Sequence, residues 1–185
     1  MNKQAYKWGD YMPKLPVSDQ ARIDAEIERI KAATGRRYPD SNLLEIIRSY
    51  APDLEIKEYD FGEYSPFIKG AIKYADGDNP AILINDKRIS KSGRNFTLAH
   101  EFGHYILHEN QEKFRLDLVD YGKGTVETMQ ESEANYFAAS LLMPRGEFEE
   151  MLQLTNDTEK IAAYFGVSVP AVEVRKRWLT QNKTR

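Results

Sequence analysis

The sequence predicts an α+β domain, and three observations carry that expectation. Apolar residues recur with helical spacing before residue 50, switch to strand-like runs between residues 54 and 85, and return to helical spacing after residue 93. Helices and strands are therefore segregated along the chain rather than alternating, which favours α+β over α/β. At 185 residues, the chain has the length of one domain with a small appendage.

Residues 1–17, broken by Pro13 and Pro16, read as an extended lead-in. Ser18 or Asp19 is expected to cap a helix running to about Ala33, with Ile23, Ile27 and Ile30 on one face and Gly35 ending it. A second helix fits from Asp40 or Ser41 to Tyr50, stopped before Pro52. Strands are expected over Leu54–Phe61, Phe67–Tyr74 and Ala81–Asn85, with Asp76-Gly77-Asp78 as a turn. Together they suggest a small three-stranded antiparallel sheet. After Gly93 a helix is expected from Arg94 to Glu109, followed by a polar stretch containing Gly122 and Gly124. A long helix from Thr125 or Val126 to Met143 stops at Pro144, and a short one covers Glu147–Leu154. Asp157–Phe165 and Val169–Thr180 then form a helix-turn-helix-like pair around Gly166. The expected division is residues 1–153 as the main domain and 154–185 as a helical module.

Composition narrows the chemistry. A formal net charge of −3 argues against a protein that coats nucleic acid. The start of the chain has no apolar signal core, and no stretch approaches the length of a membrane span, so a cytoplasmic protein is expected. Cys is absent, which removes disulfide scaffolds, thiolate zinc sites and cysteine nucleophiles together. The three His are His100, His104 and His108, so a metal site would have to draw on these and on carboxylates.

His100-Glu101-Phe102-Gly103-His104 has the HExxH pattern. Positions i and i+4 of a helix lie one turn apart on one face, so both imidazoles can converge on one Zn²⁺. Glu101 stands beside the first ligand, placed to take a proton from an attacking water. The flanking Phe96, Leu98, Ala99, Phe102, Ile106 and Leu107 make this a buried helix, where bare imidazoles are poor choices without partners. Gly103 allows a close approach by another backbone or by a substrate strand.

A catalytic zinc needs about three protein ligands and an open position. His108 lies roughly 12 Å along the helix axis from His100, too far to share a tetrahedral ion, and reads as a structural or helix-end His. A carboxylate from the downstream helix is the better source. Glu131 shares a face with Ala134, Asn135, Ala138 and Leu142, whereas Glu133 lies with Phe137 and Ser140. Glu131 is therefore favoured, Glu133 is the alternative, and Asn135 can support a ligand by hydrogen bonding.

Arg94–His108, and Glu131-x-Glu133-Ala134-Asn135-x-Phe137-Ala138-Ala139 running on to Pro144, resemble the signature of the ImmA/IrrE metallo-endopeptidases. The similarity covers roughly residues 40–180. It implies a minimal zincin-like fold with zinc between two helices, His100, His104 and Glu131 as ligands, and Glu101 as the catalytic base. It also implies a soluble bacterial or phage-borne protease whose substrate is a helix-turn-helix repressor, cleaved to relieve repression. The family also includes proteins without shown protease activity, so a zinc-containing binding or antitoxin-like module is the alternative.

The C-terminal pair is expected to pack on the core or dock a partner rather than read DNA. The start of its second helix, Val169-Pro170-Ala171-Val172-Glu173, offers almost no base-edge donors, although Arg175 or Lys176 could approach phosphate. Substrate is expected to pair along an edge strand, Ala81–Asn85. Tyr105, Tyr121 and Tyr136 are candidates by position to stabilise an oxyanion.

Overall fold

The computed structural model describes residues 15–64, 68–74, 79–85, 90–108, 114–118 and 129–181. The lead-in up to residue 14, the Asp76-Gly77-Asp78 turn, Gly122, Gly124 and the start of the long downstream helix lie outside them. The order is α1 (Val17–Thr34), α2 (Leu43–Tyr50), β1 (Glu55–Tyr59), β2 (Ile68–Lys73), β3 (Ala81–Asn85), α3 (Lys91–Leu107), β4 (Phe114–Leu118), α4 (Met129–Leu142), α5 (Arg145–Leu154), α6 (Thr158–Tyr164) and α7 (Val169–Gln181). The class is α+β, as expected.

Helix starts differ from expectation by a few residues, for local reasons. α1 begins at Val17, and the Asp19 and Gln20 amides reach the Pro16 carbonyl, so neither Ser18 nor Asp19 caps it. Asn42, rather than Asp40 or Ser41, caps α2 by accepting from the Leu44 amide at 2.9 Å. Ser90 caps α3 by accepting from the Gly93 amide at 3.1 Å, so Gly93 sits inside the first turn rather than before it. α1 does end at Gly35, with φ of 63°.

The sheet is the main correction. Among the described residues it has four strands in the order β1-β3-β2-β4, and it is mixed. β1 runs parallel to β3, while β2 is antiparallel to both β3 and β4. The three-stranded antiparallel sheet therefore gives way to a mixed one, and the polar stretch after α3 contains a strand. β3 lies between β1 and β2 with all five residues buried. Ala81–Asn85 is thus an interior strand and cannot receive a substrate strand; among the described residues the outer strands are β1 and β4. A register shift between Ile68 and Gly70 against β4 marks a bulge in β2. Asn85, fully buried, donates from Nδ2 to the Ile68 carbonyl at 2.6 Å and fastens that bulge to the end of β3.

α3 lies against β2 and β3 on one side and α4 on the other, and α1 packs on α4. Gly103 permits the α3–α4 approach. A Cβ there would lie 3.3 Å from the Ala134 Cα and 3.0 Å from the Phe137 ring. The backbone it admits is that of α4. Ala134 lies at this contact, and Ala138 and Ala139 on the same helix are buried as well.

The C-terminal pair shares the central core through Ile161, Phe165, Val172 and Leu179. Gly166 (φ 58°) makes the turn, and a Cβ on it would lie 2.9 Å from the Tyr38 hydroxyl. Arg175 is buried, donating to the Met143 carbonyl at 3.1 Å and the Ser140 hydroxyl at 2.9 Å. Lys176 bonds Thr158 at 3.0 Å and Glu173 at 3.2 Å. Both cations that a DNA reader would offer to phosphate are engaged within the protein. No helix among the described residues is long and apolar enough to cross a membrane.

Candidate metal centre

The HExxH residues occupy the buried middle of α3. His100, Glu101 and His104 are 3%, 1% and 2% exposed. Their burial follows from the sheet on one side and α4 on the other, which together leave this helix little solvent-facing surface.

His100 Nε2 and His104 Nε2 stand 3.0 Å apart. Glu131, from the first turn of α4, places Oε2 3.3 Å from His100 Nε2 and Oε1 3.5 Å from His104 Nε2. Donors held roughly 2.0–2.1 Å from a tetrahedral ion stand about 3.3 Å from one another. The three side chains therefore outline one face of such a coordination shell. Two imidazole nitrogens and one carboxylate also form the donor set of a catalytic centre with one position left open. The residues fit a metal ion.

Electrostatics agree with that geometry. Burial alone would raise the Glu131 carboxyl, but hydrogen bonds and charge from His100 and His104 outweigh it. Glu131 is held well below the ordinary carboxylate range and stands ready as an anionic ligand. Asn135 lies one turn further along α4, with Oδ1 3.1 Å from His100 Nδ1. An imidazole that donates there keeps its Nε2 lone pair for the metal.

Glu133 takes a different path from Glu131. It is buried and bonds His108 Nε2 at 2.7 Å, while His108 Nδ1 lies 2.9 Å from His104 Nδ1. The two Glu lie on different faces of α4, and the helical period alone gives Glu133 no task beyond that of alternative ligand. The signal was available in outline: His108 is four residues beyond His104, and such neighbours touch on a helix.

Glu101 reaches toward β2 at Gly70. A Cβ at Gly70 would stand 2.7 Å from the Thr97 methyl and 2.9 Å from Glu101 Oε1. Gly70 is therefore a residue of the site that the sequence did not single out as one. Gly70→Ala is expected to destabilise the fold by about 1–3 kcal/mol through overpacking. Adding Thr97→Ser should recover part of that loss, because it removes the nearest atom. Urea denaturation of the single and double variants checks both expectations.

The tyrosines named as oxyanion candidates are placed otherwise. Tyr136 donates to Asp24 Oδ2 at 3.1 Å and packs on Trp178. Tyr105 stacks on Phe102, with centroids 6.3 Å apart. Tyr121 lies outside the described residues.

A peptidase family model described as the IrrE N-terminal-like domain matches residues 63–177, more than half of the chain. The chain belongs to this peptidase family. Both motif segments, with His100, Glu101, His104 and Glu131, fall inside the matched region. The IrrE-like fold also matches a solved structure described as a Mycobacterium tuberculosis transcriptional regulator, with a TM-score of 0.54 and 20% identity. That likeness covers 83% of this chain and 46% of the regulator, so the chain spans about half of that protein's length. A comparison with curated proteins gives no match.

Proposed function

We propose that the chain is a zinc-dependent endopeptidase that hydrolyses a peptide bond in a protein substrate. The observation that carries this reading is the near-tetrahedral spacing of His100, His104 and Glu131 beside a buried Glu101. When bound, zinc supplies Lewis-acid polarisation of the scissile carbonyl and makes water a better nucleophile. The protein residues do the rest. His100, His104 and Glu131 hold the ion, and Asn135 orients the His100 ring. Glu101 accepts a proton from the attacking water as its oxygen bonds to the carbonyl carbon. It then returns that proton to the departing amine nitrogen as the C–N bond breaks. A purely structural metal site has no use for such a base, which weighs against the non-proteolytic module.

Substrate would enter as an extended segment on a sheet edge. Since β3 is interior, the edge for this role is β4. It pairs directly with β2, whose Gly70 lies beside Glu101, whereas β1 is two strands removed from β2. In this reading residues 1–153 carry the peptidase site, and residues 154–185 form a helical module that docks the substrate. The substrate is a helix-turn-helix repressor in the cytoplasm, and cleavage relieves repression. The resemblance to the ImmA/IrrE endopeptidases supports that choice, and the structural neighbour described as a transcriptional regulator is compatible with it.

The test is co-expression with a helix-turn-helix repressor encoded beside this gene. Wild type should deplete the repressor and Glu101→Gln should not. Equal loss with both would sink the protease reading.

A further inference from the structure

His104 offers Nε2 to the metal centre, so its ring proton resides on Nδ1. That Nδ1 lies 2.9 Å from His108 Nδ1. Two nitrogens at this separation share one proton between them, so His108 Nδ1 accepts. The proton of the neutral His108 ring is then on Nε2, 2.7 Å from Glu133 Oε2, and donates to that carboxylate. The other carboxylate oxygen, Oε1, accepts from Arg22 Nη2 on α1. With the lone pair of His104 Nε2 reserved for the ion, one set of neutral tautomers gives every donor in this row an acceptor. His108 and Glu133 are each 8% exposed, so an interrupted row would leave buried polar atoms unsatisfied.

We propose that His108 and Glu133, backed by Arg22, form a positioning relay that fixes the tautomer and orientation of His104 for metal binding. The proposal rests on the metal reading given above. Where a ligand imidazole commonly hands its second N–H directly to a carboxylate or carbonyl, a second imidazole is interposed here. His100 meets the amide of Asn135 directly, with Nδ1 3.1 Å from Oδ1. The relay also draws α1 into the site. Arg22 precedes the family-matched segment 63–177, so the centre depends on a helix outside it.

The experiment is zinc titration of the full chain against a chromophoric chelator, with the cobalt d–d spectrum as a second readout. His108→Leu and Glu133→Leu, each of which removes the hydrogen-bonding group from the row, should each weaken zinc binding about 10–100-fold. The double variant should lose no more than His108→Leu alone, because Glu133 acts through His108. His108→Gln, whose amide can accept from His104 and donate to Glu133, should stay within about twofold of wild type in affinity, the ordinary error of additivity. It should also preserve the cobalt spectrum. If His108→Leu fails to fold, Glu133→Leu and His108→Gln carry the comparison. Unchanged zinc affinity in the folded variants, with only a lower melting temperature, would overturn the relay while the metal reading stands. Losses that multiply in the double variant would overturn it as well. A wild-type chain that binds no zinc would sink the metal reading, and the relay with it.

Discussion

Glu101→Gln is expected to keep one zinc per chain and to slow peptide-bond hydrolysis about 10²–10⁴-fold. The substitution preserves size and shape, which matters at a side chain only 1% exposed and in close contact with β2. It removes the one property the mechanism uses, the ability to take a proton from water and give it to the amine. That range of loss corresponds to about 3–5 kcal/mol of transition-state stabilisation. The metal ligands are untouched, so zinc content, cobalt spectrum and unfolding midpoint should match wild type. Kinetics on a purified repressor, measured beside metal analysis of the same samples, separate lost chemistry from a lost site. A variant that lost zinc and activity together would show that Glu101 holds the ion instead.

Glu131→Ala is expected to weaken zinc binding by more than the roughly 10–100-fold typical of supporting residues. Glu131 is the third member of the donor set and the one that brings negative charge. Without it, two neutral imidazoles remain, and water must fill the vacated position. His100 and His104 hold the Glu131 carboxyl below the ordinary carboxylate range, so this ligand is ionised before metal arrives, and any proton that leaves on metal binding comes from the imidazoles. Gel-filtered Glu131→Ala should therefore carry substoichiometric zinc and show no hydrolysis. Glu133→Gln, by contrast, should retain zinc at saturating concentration. The reverse ranking would mean that the ligand carboxylate belongs to Glu133.

Much of the centre was legible because helical spacing is rigid. His100 and His104 had to share a face, and the alanine face of α4 had to meet another helix, which brought Glu131 inward. The role of Glu133 was not legible in the same way. Residues Ser132 through Leu142 are all buried, so lying on a different face of α4 did not mean lying at the surface. Pairing Glu133 with His108 and Arg22 depends on how three helices cross, which helical period alone does not specify.

The sheet was misread where the connection rule failed. Consecutive strands often pair, which suggested a meander. Instead β3 inserts between β1 and β2 and runs parallel to β1. One clue was available, because Ala-Ile-Leu-Ile is a continuous apolar run, a pattern of interior rather than edge strands. β4 carried its own clue. Phe114-Arg115-Leu116-Asp117-Leu118 alternates apolar and charged residues with period two, although it sits within a polar stretch.

The most direct test of the metal-centre claim is a zinc-edge anomalous difference map from crystals of the purified chain. One peak is expected roughly 2.0–2.2 Å from His100 Nε2, His104 Nε2 and a Glu131 carboxylate oxygen, with Glu101 near the open position but not ligating. A peak coordinated by His108 and Glu133, or no peak at His100 and His104 in zinc-loaded crystals, would contradict it.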